Sequence, residues 1–92
     1  MTWGTYLEFK SDDEEFEQEK KGLHNCTVRK TPEDGRKKTL GWFKNQDLSK
    51  CNLDITITNN QTGEEFTRRV KYISFHPNLD VWKISWYGSE EQ

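Results

Sequence analysis

His24, Thr27 and Arg29 are the residues of this chain whose types and spacing could do chemistry. They lie in the stretch Phe16–Lys30, FEQEKKGLHNCTVRK, just past a segment that reads as the end of a short helix stopped by Gly22. Thr27 and Arg29 alternate, so on an extended strand they share one face and Val28 turns into the core. A ring nitrogen, a hydroxyl and a guanidinium offered together suit a small planar, polar or anionic ligand. The same pattern also describes a solvated edge strand, because polar strand faces are common.

The flanking sequence must supply the elements that hold these groups. Trp3, Thr5, Leu7 and Phe9 alternate with smaller or polar residues, the pattern of a half-buried first strand. Ser11 with Glu14 three residues on forms a capping box, and Asp12, Asp13 and Glu14 suit the positive end of a helix dipole. A helix is expected from Asp12 to Lys21, closed by Gly22. Its apolar face holds one large anchor, Phe16, helped by Leu23, so the helix should lie on the surface. Thr31-Pro32 reads as a helix cap with proline at the first helical position, followed by a short helix or turn near Lys37–Asn45. Leu53, Ile55 and Ile57 alternate with Asp54, Thr56 and Thr58, a strand signal. Asn59–Gly63 is turn chemistry, and Glu65–Phe75 is the returning strand. In that strand Phe66, Val70 and Tyr72 keep one parity while Ile73 and Phe75 keep the other. A bulge near Lys71–Ile73, or burial on both faces, would reconcile them. Trp82, Ile84 and Trp86 define the buried face of a last strand, before a frayed tail from Gly88 to Gln92. The expected fold class is α+β: a small curled sheet or partly closed β-barrel with one or two short helices.

Gly22, His24, Thr27 and Arg29 also stand at the spacing of the ASCH motif, glycine-x-lysine-x-x-(glutamate or threonine)-x-arginine, with His24 in place of the lysine. The chain therefore resembles the ASCH domains, small relatives of the PUA fold, and the order of elements around the motif agrees. The resemblance implies a single PUA-like domain over residues 1–92 that associates with RNA or a nucleotide-like ligand. One branch of that family hydrolyses the acetyl amide of an acetylated cytidine with the motif lysine, the motif threonine and a glutamate farther along the chain. Carried over by position, the first two fall on His24 and Thr27, with Arg29 as the motif arginine. The glutamate has no evident counterpart: Glu64 and Glu65 sit at a hairpin turn, and Asp80 is the one carboxylate between Phe66 and Tyr87. His24 and Thr27 could form a base and hydroxyl pair, yet histidine is shorter than lysine and mostly neutral near pH 7. Binding rather than catalysis is expected, with an amidohydrolase on an acetylated nucleoside as the enzymatic form of the resemblance.

Composition narrows the classes further. Ninety-two residues make one domain, and although only 30% are hydrophobic and 33% charged, 13% are aromatic, enough ring area for a compact core. The net charge of -2 hides a segregation: seven acidic residues and one lysine lie between Glu8 and Glu19, and eight basic residues face Glu33 and Asp34 between Lys20 and Lys44. Arg29, Lys30, Arg36, Lys37 and Lys38 could form a basic rim beside the motif, with Trp42 placed to stack on a base. Arg68, Arg69 and Lys71 either extend that rim or lie opposite it. The rival class is a protein-binding module or inhibitor. In it, Asp12, Asp13, Glu14, Glu15, Glu17 and Glu19 present an acidic helix to a partner's basic site. Ordinary surface charge accounts for either pattern equally well. No apolar run resembles a signal peptide or a membrane span, so a cytoplasmic setting with Cys26 and Cys51 as free thiols is expected. The cysteine and histidine spacings match no zinc pattern, and no cofactor is implied. Asn25 and Asn60 head glycosylation sequons that carry no weight without a secretion signal.

Overall fold

Leu53, Ile55, Ile57 and Asn59 are buried while Asp54, Thr56 and Thr58 between them are half-exposed, and this alternation sets the face on which the core is built. The computed structural model describes residues 5–88. Trp3 and the tail from Ser89 onward lie outside the described residues. In chain order the elements are β1 (Thr5–Ser11), α1 (Asp13–Lys20), β2 (Cys26–Lys30), α2 (Arg36–Phe43), a 3-10 turn (Leu48–Lys50), β3 (Leu53–Asn59), β4 (Glu65–His76) and β5 (Val81–Trp86). The protein is α+β, with two helices on a five-stranded curled sheet, a half-barrel. Strand order is β1-β3-β4-β5-β2, with β1 and β3 parallel and every other pair antiparallel. No described helix is long and apolar enough to cross a membrane.

The curl has an identifiable cause. β4 pairs through Glu65–Arg69 with β3 and through Val70–His76 with β5, and its register slips by one residue between Val70 and Tyr72. Lys71 is the extra residue of this bulge, which bends the strand where it changes partners. The slip also resolves the parity conflict: Phe66, Val70 and Ile73 all face the core, and Tyr72 turns outward. As a result the two edge strands, β1 and β2, approach each other across the open side.

Phe16 of α1 is fully buried and packs its ring 5.4 Å from that of Phe66, which in turn lies 6.2 Å from Trp86. This chain of rings fills the concave face and fixes α1 over it. Leu23 adds nothing to the anchor, being 72% exposed. The helix ends as Gly22 predicts: Gly22 takes φ 81°, and the Leu23 and Gly22 amides donate to the carbonyls of Gln18 and Glu19. Its start differs from the expected capping box. Ser11 is the last residue of β1, buried like Leu7 and Phe9 before it, and Asp12 is the cap, accepting from the Glu15 amide at 2.9 Å. Buried Asn59 ties the β3–β4 turn to this helix. It donates to Asp13 Oδ1 and accepts from the Gln61 and Thr62 amides.

Two further readings are corrected. Thr31 caps no helix: its hydroxyl donates to Asp80 Oδ1 and accepts from Trp82 Nε1, fastening the end of β2 to the β4–β5 turn. The helix begins later, at Arg36, with Gly35 as its cap. On β2 the faces are reversed from expectation, with Thr27 3% exposed and Val28 57% exposed. The interior at this end of the half-barrel is polar, so it takes the threonine and the arginine and leaves the valine outside.

Candidate functional site

The inward-facing side chains of β2 organise the open side. Antiparallel register with β5 places Thr27 opposite Ile84 and Arg29 opposite Trp82, both on the concave face. From there Arg29 crosses to the other edge strand. Its Nε donates to Thr27 Oγ1 at 2.9 Å, Nη1 to the Lys10 carbonyl at 2.6 Å, and Nη2 to Ser11 Oγ at 2.6 Å. Ser11 Oγ donates in turn to Glu19 Oε1 at 2.9 Å. A chain of polar contacts thus runs from β2 through β1 to α1, joining by side chains two edges that share no backbone bonds.

Glu19 is 1% exposed, and its Oε2 has no hydrogen-bond partner among the described residues. Burial raises its pKa above the usual carboxylate value, as does the Glu15 charge. The Ser11 hydrogen bond, the Arg29 charge and the Thr27 hydroxyl pull the other way without cancelling the rise. Helical spacing could have exposed this role, because Phe16 and Glu19 are three apart and share the buried face of α1.

Beside the network a cleft of about 430 Å³ opens between the two edge strands, lined by Glu8, Phe9, Lys10, Arg29, Lys30, Pro32, Arg36 and Thr58. The Phe9 ring lies under two guanidinium groups, Arg29 at 5.2 Å and Arg36 at 4.9 Å. Arg36 donates to the Glu8 carbonyl at 2.7 Å and pairs with Asp34 at 2.9 Å. The Arg36 contact holds the Asp34 carboxyl below its ordinary pKa. The parallel register of β1 with β3 directs the Glu8 and Lys10 carbonyls away from the sheet, and the two arginines cap them. Arg29 therefore ties β2 to β1 and Arg36 ties α2 to β1, and both guanidiniums stand at the cleft, that of Arg36 paired with Asp34.

Of the residues singled out from the sequence, Arg29, Lys30 and Arg36 come together at this cleft, and Thr27 lies behind it, holding Arg29. His24 is exposed on the loop after α1 and forms no hydrogen bond to Thr27 among the described residues. Lys38 and Trp42 line a separate groove of about 560 Å³ with Thr5, Thr39, Phe43, Cys51 and Asn52. Trp42 is 58% exposed there, its ring edge-on to Phe43. Lys37 is exposed on α2 and lines neither. Arg69 pairs with Asp54 at 2.7 Å and Arg68 lies over Phe66 at 4.9 Å, so neither extends the cleft. Lys10, hidden in the sequence among acidic neighbours, completes the cleft from β1, and its outward parity on that strand is the one signal that could have found it.

The acidic helix is less free than its composition suggests. Asp12 caps it, Asp13 accepts from Asn59, Glu17 lies 4.0 Å from Lys21, and Glu19 is buried. Glu14 and Glu15 are exposed, and their carboxylates join no hydrogen bond or ion pair among the described residues.

No family model matches the chain, and no curated protein or solved structure matches it.

Proposed function

We propose that this protein is a small binding module for RNA or a nucleotide-like ligand, and that the ligand's phosphate sits in the cleft between β1 and β2. The observation that carries this reading is the convergence of Lys10, Arg29, Lys30 and Arg36 on one concavity whose lining, among the described residues, holds a single carboxylate, Glu8, with Asp34 outside the lining and paired with Arg36. Such a surplus of positive charge in a recess with low-dielectric walls concentrates anions. The spacing of Gly22, His24, Thr27 and Arg29, which resembles the ASCH motif, and the curled α+β fold support the same reading. A reducing, cytoplasmic setting goes with it, with Cys26 and Cys51 both free thiols.

Catalysis by His24 and Thr27 receives no support from the geometry, since the threonine hydroxyl is buried against Arg29 and the histidine stands outside. A protein-binding role for α1 is left with Glu14 and Glu15 as its uncommitted charges, so the cleft is favoured. The test is fluorescence anisotropy of a short single-stranded RNA at about 50 mM and about 200 mM salt. Binding should weaken with salt and fall on Lys10→Ala and Lys30→Ala, while Lys37→Ala changes it little. Absence of binding at the lower salt refutes the proposal.

A further inference from the structure

We infer that the cleft recognises a terminal phosphate, the dianion of a phosphomonoester, clamped between Lys10 of β1 and Lys30 of β2. The inference rests on the binding reading above and names which part of the ligand enters. A mononucleotide and the phosphorylated end of an RNA strand both carry this group.

The division of labour among the four cations points to it. Arg29 and Arg36 each spend three nitrogens on protein acceptors, so they fix the walls and supply charge from set positions. Lys10 and Lys30 join no ion pair among the described residues, and their flexible stems leave the ammonium groups free to close on a ligand. They stand on opposite edges of the half-barrel. A group with two negative charges can satisfy both at once, whereas an internal phosphodiester brings one charge and needs an exit for the chain on either side.

The aromatic content of the cleft argues in the same direction. Proteins that track along single strands interleave cationic contacts with exposed rings on which bases stack. Here Phe9 is 6% exposed and lies under two guanidiniums, and Trp42 belongs to the other groove. Among the described residues the cleft is equipped for phosphate and lacks a platform for bases. Nor does it suit an added peptide strand, because the outward carbonyls of Glu8 and Lys10 are already taken. Its volume, about 430 Å³, is on the scale of small-ligand sites.

A ligand that bridges Lys10 and Lys30 also links the two free edges, so binding should raise the melting temperature of the protein. The experiment uses the full chain with four probes: adenosine, adenosine monophosphate, and one hexaribonucleotide with either a 5′-phosphate or a 5′-hydroxyl. Anisotropy or calorimetry and thermal shift are read in parallel. The expected result is that the phosphorylated RNA binds at least about tenfold more tightly than its 5′-hydroxyl twin and that adenosine does not bind. Binding of the monophosphate then marks a free nucleotide as a sufficient source, and its failure alongside binding of the phosphorylated RNA marks the strand end; both outcomes support the clamp. Lys10→Ala and Lys30→Ala, at exposed positions, should each reduce the preference while leaving the melting temperature of the free protein unchanged. Equal binding of the two RNAs overturns the clamp and leaves the RNA-binding reading standing. Loss of all binding overturns both.

Discussion

Arg29→Lys preserves the charge at the cleft and removes the geometry that closes it. The guanidinium makes three hydrogen bonds, at 2.9, 2.6 and 2.6 Å, to acceptors on β2 and β1. An ammonium on an unforked stem reaches one of them at best, so two are lost. Hydrogen bonds from charged donors contribute about 1.5–3 kcal/mol each. Arg29 is half-exposed and water replaces part of each bond, so about 1–1.5 kcal/mol apiece is the better figure and the total is about 2–3 kcal/mol. Domains of this size hold about 5–14 kcal/mol, and each kcal/mol moves Tm by about 4–8 °C. The variant should therefore melt roughly 10–20 °C lower. Thermal and urea unfolding followed by the fluorescence of the buried Trp82 and Trp86 reads this directly. A double-mutant cycle with Ser11→Ala should show coupling of about 1 kcal/mol, as expected of residues in direct contact. A Tm within a few degrees of the parent, with no coupling to Ser11, would refute the idea that Arg29 joins the two edges.

Other expectations follow from single residues. Because burial raises the pKa of Glu19, the folded protein holds that proton to higher pH than the unfolded chain, and stability falls as pH rises from the ordinary value of 4.5 through the raised one. Glu19→Gln mimics the protonated form, so it should be more stable than the parent at neutral pH and lose this part of the pH dependence; identical stability–pH curves would contradict the assignment. Gly22→Ala and Gly41→Ala should differ in sign. The first places a side chain at φ 81° and costs about 1 kcal/mol, while the second fills open space within α2 and gains about 0.5–1 kcal/mol, both measured by urea midpoint. Phe16→Ala deletes the fully buried anchor of α1 and should cost about 3–5 kcal/mol, with helix content lost by circular dichroism if α1 detaches.

How far the sequence disclosed this arrangement depended on where the stabilising contacts lie. β3 and β5 were legible because three alternating apolar residues each set both strand and face. The bulge in β4 was legible as a conflict of parity that one extra residue removes. β2 was legible as a strand, but its face was not: with Val28 as the sole large apolar residue, parity followed the composition of the interior, and that interior is a hydrogen-bonded network. Thr31 shows the limit of local pattern. Thr-Pro satisfies the rule for a helix start, yet its hydroxyl is taken by Asp80 and Trp82, 49 and 51 residues away. At the site, Arg29, Lys30 and Arg36 could be nominated from charge alone, whereas Lys10 and Glu19 sit among acidic neighbours that concealed one and miscast the other as surface.

The claim on which the functional account turns is that the opening between β1 and β2 is where ligand binds. An amide NMR titration of the full chain with a short single-stranded, 5′-phosphorylated RNA at low salt tests it most directly. The amides of Lys10, Arg29, Lys30 and Arg36 should shift first and saturate together, while those of Lys38 and Trp42 stay in place. Shifts concentrated at Lys38 and Trp42, or none at all, would contradict it.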